Sequence, residues 1–440
     1  MILSTQSPRP RRGPSLLLTM FLATGCSAPL VRDIPMLSPE DPHFEIKHMY
    51  AVRSPEFRRA VGHLLGPQIL EGNRVATLLN GDRIFPAMLE AIEGAQRSIT
   101  FETYIYWAGE IGERFAEALS KRASAGVEVR VIIDWFGGER IDPEYLEQMK
   151  SAGVALNLYH DIPWYNPIRW RDLADVENRT HRKILVVDGK IGFTGGVGIA
   201  DIWTGNAQSP EHWRDTHFRA TGPVVAQLQS AFVDNWLESG GELLHGDKYF
   251  PELRATGSYA AQAFKGSPEE ATENVELMYR LAIAAAEHSI KLSSAYFVPN
   301  DGTIKALQEA AGRGVEIQII TPGEHLDSEI VQAGSPALWG ELLKAGVKIY
   351  QYEPTMFHCK VLVIDDYCSS LGSTNFDNRS FQLNDEVNLN VFDERFSTEQ
   401  SRIFDEDAKR SKLVTYEDWK QRPWYQKAMN WLVFPFRREL

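Results

Sequence analysis

Two short stretches of this sequence place a histidine and a lysine where they could act together on an anion. The first runs His181-Arg182-Lys183, then Ile184-Leu185-Val186-Val187, then Asp188. The second runs His358-Cys359-Lys360, then Val361-Leu362-Val363-Ile364, then Asp365. Residues two apart on a strand share a face, so His181 pairs with Lys183 and His358 with Lys360. The apolar run behind each pair fixes its strand in a core. Asp188 and Asp365 complete the pattern, but each follows its strand at a turn, and Asp188-Gly189 is a strong hairpin signal. They read as residues that hold the turn more than residues that touch a ligand. After six more residues come Gly195-Gly196 and Gly372-Ser373, small enough for backbone N–H groups and a hydroxyl to approach a phosphate. One H-x-K means little. The whole pattern, twice, at equivalent places, is specific.

The elements around the motifs repeat as well. Ala91-Ile92-Glu93-Gly94-Ala95-Gln96-Arg97-Ser98-Ile99 returns as Ala282-Ile283-Ala284-Ala285-Ala286-Glu287-His288-Ser289-Ile290. Each copy leads into a strand (100–107, 291–298), a helix (111–125, 303–312) and a second strand (127–135, 315–321). A further helix stops at Gly153 or Gly346, as helices do before a strand. Strands alternating with helices predict α/β units on a largely parallel sheet. The fold expected is two similar α/β domains, 73–245 and 268–440, packed as a pseudo-dimer. Residues 246–267 read as a linker, and 27–72 as an N-terminal segment. From Gly153 to His181 is 28 residues, whereas Gly346 to His358 is 12, so the first copy carries an insertion. Its Trp164, Tyr165, Arg169 and Trp170 suit a lipid interface or a substrate rim, or simply a packed loop.

With these motifs in view, the chain resembles the phospholipase D superfamily, and within it the bacterial cardiolipin synthases and related phosphatidyltransferases. The likeness spans about 73–440. It includes Tyr296-Phe297-Val298-Pro299, the run from Gly372 through Asn375 to Phe381, and Asn384-Asp385-Glu386. The resemblance implies that the motifs meet in one metal-free site and that no cofactor is needed. One neutral imidazole would attack phosphorus while the other, protonated, serves the leaving oxygen. Lys183 and Lys360 would offset charge growing on the phosphate oxygens. Likeness makes His181 the nucleophile and His358 the acid and base. Asp215, in His212-Trp213-Arg214-Asp215, and Glu386 resemble the family's partners for the histidines; surface salt bridges are the plain alternative. Asn commonly stands where this chain has Gly198, so the first half lacks a polar contact that Asn375 supplies in the second.

The formal charge of −13 argues against general nucleic-acid binding, which excess Lys and Arg carry, and lowers a nuclease reading. Arg9, Arg11 and Arg12 precede an apolar stretch too short to span a membrane, ending Thr24-Gly25-Cys26-Ser27. Residues 1–26 therefore read as a secretory signal, resembling a bacterial lipoprotein signal with Cys26 lipidated. An ordinary signal or an uncleaved anchor is the alternative. Cys359 and Cys368 read as small buried residues, since an Asp365-Asp366 turn would set Cys359 opposite Gly372. The expected substrate is a phospholipid, phosphatidylglycerol or similar, with an alcohol or water as acceptor, at a membrane surface of the bacterial envelope. The tail from Trp431 to Arg438 suits that surface, or core packing with a basic end. Hydrolysis by water and a non-enzymatic lipid-binding role are the rival functions.

Overall fold

The computed structural model describes residues 46–160, 178–267, 274–328 and 334–423. The start with Cys26, the aromatic insertion at 162–170 and the tail at 431–438 lie outside the described residues. In the first half the strands are β1 (Leu70–Leu79), β2 (Ser98–Thr103), β3 (Glu128–Asp134) and β4 (Ala155–Tyr159). They continue as β5 (Arg179–Thr180), β6 (Ile184–Val187), β7 (Ile191–Gly195) and β8 (Thr216–Thr221). The second half begins with β9 (Tyr259–Gly266), β10 (Ser289–Ser294), β11 (Phe297–Val298), β12 (Glu316–Pro322) and β13 (Lys348–Tyr352). It ends with β14 (Lys360–Ile364), β15 (Cys368–Gly372), β16 (Phe376–Asp377), β17 (Asn384–Phe392) and β18 (Ser411–Val414).

Among the described residues one continuous sheet runs β18-β13-β12-β10-β14-β15-β17-β9-β1-β8-β7-β6-β2-β3-β4. Read outward from the β9–β1 pair, the two sides repeat strand for strand as far as β13 and β4, and β18 is added beyond β13. This is the duplication expected, with the halves sharing a sheet. Helices Gly81–Gly94 and Glu110–Ser124 cover the first side, and Asn274–Ala285 and Asp301–Gly312 the second. Between them lies a common core in which Ile184, Val186 and Phe218 of one half join Leu371, Val387 and Leu389 of the other. Apolar burial of this kind is what holds the halves together.

Two expectations are corrected. The sheet is mixed: β2-β3-β4 and β10-β12-β13 are parallel, but β6, β7, β8, β14, β15 and β17 form antiparallel ladders. Helical crossovers permit parallel neighbours, whereas the tight turns after the motifs join only antiparallel ones. The stretch 246–267, read as a linker, contains β9, which pairs with both β17 and β1 at the middle of the sheet. Its Ala261, Ala263 and Phe264 are buried.

The motif hairpins close through three residues each. Val187 pairs with Ile191 and Ile364 with Cys368. Asp188, Gly189, Asp365 and Asp366 carry positive φ of 54°, 63°, 51° and 49°, the left-handed conformation that such turns require. The longer loop shifts the expected register, so Lys360 and not Cys359 falls opposite Gly372. Cys359 and Cys368 are buried and free.

Candidate active site

Each motif strand is pinned to the opposite half before it enters its own side of the shared sheet. Arg179 and Thr180 pair in parallel with Asn384 and Asp385, and the His181 N–H donates to Asp385 O at 2.9 Å. In the mirror arrangement Phe357 bridges Arg214, and the His358 N–H donates to Arg214 O at 2.8 Å. Arg182, wholly buried, fastens the crossing: its guanidinium donates to Ala231 O at 2.8 Å, Asn235 Oδ1 at 2.6 Å and Asp385 Oδ1 at 3.4 Å.

The crossing brings both histidines to one cavity of about 550 Å³, lined also by Lys183, Tyr104, Trp203, Trp213, Tyr296 and Asn375. His181 Nδ1 lies 2.8 Å from Glu386 Oε1, and His358 Nδ1 lies 2.7 Å from Asp215 Oδ2. Each carboxylate therefore orients the other half's histidine. With Nδ1–H donated to a carboxylate, Nε2 is the nitrogen left for chemistry. Lys183 Nζ donates to His181 O at 2.7 Å, and Lys360 Nζ to His358 O at 2.8 Å. Tyr104 meets the His181 ring edge-on, with centroids 5.4 Å apart, and Trp203 and Trp213, themselves in contact at 4.8 Å, pack together against His358 at 5.3 and 5.5 Å. The Trp203 indole N–H donates to the same Asp215 oxygen at 3.0 Å.

The site is electrically poised by burial. Burial pulls the His181 imidazole down to about 4 against the opposing pull of Glu386. It lowers His358 too, with Lys360 adding and Asp215 opposing. Burial likewise brings Lys183 down to about 7 and lowers Lys360. Burial would raise the Asp215 and Glu386 carboxyls, but the facing histidine and lysine outweigh it, and both sit below their ordinary range. Neutral imidazoles beside ionised carboxylates are the form a nucleophile and a base require.

Asp188 and Asp365 do not line the cavity. The Asp188 carboxylate accepts from the N–H groups of Gln96, Arg97 and Ser98 at 3.0, 2.7 and 3.0 Å. Asp365 accepts from Glu287, His288 and Ser289, each at 2.8 Å. Both tie the motif hairpin to the start of the neighbouring strand.

The small pairs do something other than cradle phosphate. The Gly196 and Ser373 N–H groups are spent on Thr216 O and Val387 O, at 3.2 and 3.1 Å. A Cβ on Gly196 would collide with the Asp215 carboxylate, and one on Gly195 would reach within 2.6 Å of His217 Nδ1. The Ser373 hydroxyl donates to Glu386 Oε2. Small residues here make room for, or bond to, the carboxylate that crosses to the other histidine. A Cβ at Gly198 would lie 2.6 Å from that of Ile105, so Ile105 fills the space an Asn side chain would need. Asn375, by contrast, lines the cavity with its Oδ1 buried and unpartnered among the described residues.

Sequence reasoning overlooked Arg182, Tyr104 and Trp203. Their equivalents in the second repeat, Cys359, Ala295 and Ser380, differ in type, so comparing the repeats does not single them out.

A crossed pair of carboxylate-held histidines on a duplicated α/β sheet defines the phospholipase D class of site. The family model described as "Cardiolipin synthase, PLD-like domain" matches residues 88–207 and 279–408. The chain belongs to this family and is a phospholipase D-type enzyme. It is 36% identical over 354 residues to a cardiolipin synthase of Geobacillus thermodenitrificans, covering 80% of this chain and 69% of that one. It is 32% identical over 363 residues to cardiolipin synthase A of Pseudomonas fluorescens, covering 82% and 74%. Among solved structures, phosphatidylserine synthase of Haemophilus influenzae shares the fold, with a TM-score of 0.66 at 14% identity over 88% of this chain and all of that one.

Proposed function

We propose that this chain is a phosphatidyltransferase of the cardiolipin synthase type, acting on phospholipid phosphodiesters through a phosphohistidine. The observation that carries the reading is the pair of histidines on one cavity, each held through Nδ1 by a carboxylate from the opposite half. His181 Nε2 attacks phosphorus, the bond from phosphorus to the headgroup oxygen breaks, and protonated His358 gives its proton to the departing alcohol. His358 then takes a proton from the acceptor hydroxyl. That oxygen attacks phosphorus, and the bond to His181 breaks. Lys183 and Lys360 offset the charge on the phosphate oxygens in both steps. Binding the anionic phosphate raises the His358 imidazole, which supplies the acid form that burial alone disfavours.

Phosphatidylglycerol or a similar lipid is the donor, and an alcohol is the acceptor at a membrane surface in the bacterial envelope. Lipidation at Cys26 would supply the anchor, and incorporation of labelled palmitate that is lost in Cys26→Ala tests it. Among the described residues no helix is long and apolar enough to cross a membrane. Purified protein given phosphatidylglycerol should yield cardiolipin and glycerol, and added glycerol should suppress the yield by reversal. Phosphatidic acid as the sole product would make the enzyme a hydrolase. Unchanged lipid would overturn the reading.

A further inference from the structure

The strand that carries the first histidine presents one more cation than the mechanism above uses. Residues two apart on a strand share a face, so Arg179, His181 and Lys183 follow one another along one side of the first motif. All three line the cavity. The second motif has Met356, His358 and Lys360 at the same places, an apolar side chain where the first has a guanidinium.

Arg179 is 6% exposed, and its Nη1 is buried without a hydrogen-bond partner among the described residues. The Phe136 ring lies 5.5 Å from its Cζ, a contact that orients a guanidinium without neutralising it. Asp134 feels the charge, but its carboxylate is committed to the N–H groups of Phe136, Gly137 and Thr180, at 3.0, 3.0 and 3.2 Å. Of the other guanidiniums on the cavity, Arg140 is mostly exposed and lies over Trp107 at 4.6 Å, and Arg379 belongs to the short helix Asn378–Gln382 of the second half. A buried cation held in this way is strongly disfavoured unless a ligand supplies the anion.

Burial brings Lys183 down to about 7, so its ammonium is only partly charged near neutrality, whereas a guanidinium keeps its charge. The guanidinium fork also meets two phosphate oxygens at once, which an ammonium cannot do. We propose that Arg179 is a third cation on the reacting phosphate, a catalytic residue that holds the non-bridging oxygens on the His181 side. The phosphatidyl group then rests on the half that has the extra cation, which gives the choice of His181 over His358 as nucleophile a physical cause. Arg179 exchanges no proton. As the bond from His181 Nε2 to phosphorus forms and the bond to the leaving oxygen breaks, it offsets the charge on the phosphate oxygens. The inference rests on the phosphatidyltransfer reading above and names a residue which that reading leaves out.

The test follows the first step alone, in full-length protein carrying His358→Ala as the parent. Phosphatidyl-p-nitrophenol in detergent micelles is the donor, since it holds a single phosphate and its leaving group departs as p-nitrophenolate. The burst of p-nitrophenol reports cleavage, and base-quenched peptide mass spectrometry reports the adduct on His181. Adding Arg179→Met, the second half's own residue at this place, should slow the burst about 10²-fold, the scale of losing one preorganised donor to an oxyanion. Arg179→Ala should slow it as much and regain at least about tenfold when guanidinium is added, while urea, neutral and similar in shape, has no effect. Such rescue separates a contact with phosphate from support of the fold, which added guanidinium weakens. Arg179→Lys keeps a buried charge but not the fork and should slow the burst at least about tenfold, so the inference remains testable where the other variants fail to fold. A burst within about threefold of the parent in any folded variant, or a folded Arg179→Ala that guanidinium does not rescue, would overturn the inference and leave transfer intact. A normal burst with cardiolipin formation lost on Arg179→Met in the wild-type chain would put the guanidinium on a second phosphate, and would overturn it too. Absence of both burst and adduct in the parent would count against the phosphohistidine reading, and this inference with it.

Discussion

Glu386 holds the ring of His181 from the opposite half of the molecule, its Oε1 2.8 Å from Nδ1 across 205 positions of sequence. Asp215 returns the arrangement to His358 at 2.7 Å. Neither half thus contains an oriented histidine of its own. On the proposed mechanism the catalytic unit is the interface, and what fixes the interface fixes the chemistry.

Glu386→Gln keeps the size of the side chain and removes its charge. Turnover of a natural lipid should fall by about 10²-fold or more, the scale of general acid–base catalysis. Loss of the anion should also lower the His181 imidazole further, moving the acid limb of the rate profile to lower pH. Circular dichroism should remain that of the wild type. Turnover within about threefold of the wild type would remove Glu386 from the mechanism.

The rate should depend on pH through the two groups that burial shifts most usefully. With a p-nitrophenyl ester the leaving group needs no proton, so the profile reports His181 and Lys183. As pH rises past about 4, His181 becomes neutral and kcat/KM should climb. As pH rises past about 7, Lys183 loses its proton and kcat/KM should fall. A profile flat from pH 5 to 9 would contradict the role given to Lys183.

Asp188→Ala and Asp365→Ala should act on stability. Each removes the acceptor for three backbone N–H groups, a loss of about 1–3 kcal/mol. Calorimetry should show a lowered Tm, with activity per folded molecule far above that of His181→Ala or His358→Ala. Loss of turnover with an unchanged Tm would return both aspartates to the chemistry.

Much of this was legible in the sequence because it is local. The lysine two residues after each histidine, the turn-forming Asp188 and Asp365 and the repeated strand–helix pattern are all short-range features. Asp215 and Glu386 were found only as likenesses, and their crossing was not legible, since nothing near His181 indicates a partner 205 positions away. The small pairs misled for the same reason: Gly196 and Ser373 look outward to a ligand in sequence but inward to Asp215 and Glu386 in the fold. Strand β9 was hidden in a segment rich in Gly and charge, because its place at the middle of the sheet depends on β1 and β17.

The proposed phosphohistidine can be sought directly by trapping it. His358→Ala is mixed with a phosphatidyl-p-nitrophenol donor, quenched in base, where a phospho-imidazole survives, and digested for peptide mass spectrometry. The expected result is a burst of p-nitrophenol and a phosphatidyl adduct on His181, because the variant lacks the base that activates the acceptor. An inert His358→Ala, with the adduct instead on His358 of a His181→Ala variant, would exchange the two roles and keep the intermediate. Steady release of p-nitrophenol by His358→Ala with no adduct at any time point would contradict the covalent mechanism and put direct attack by water in its place.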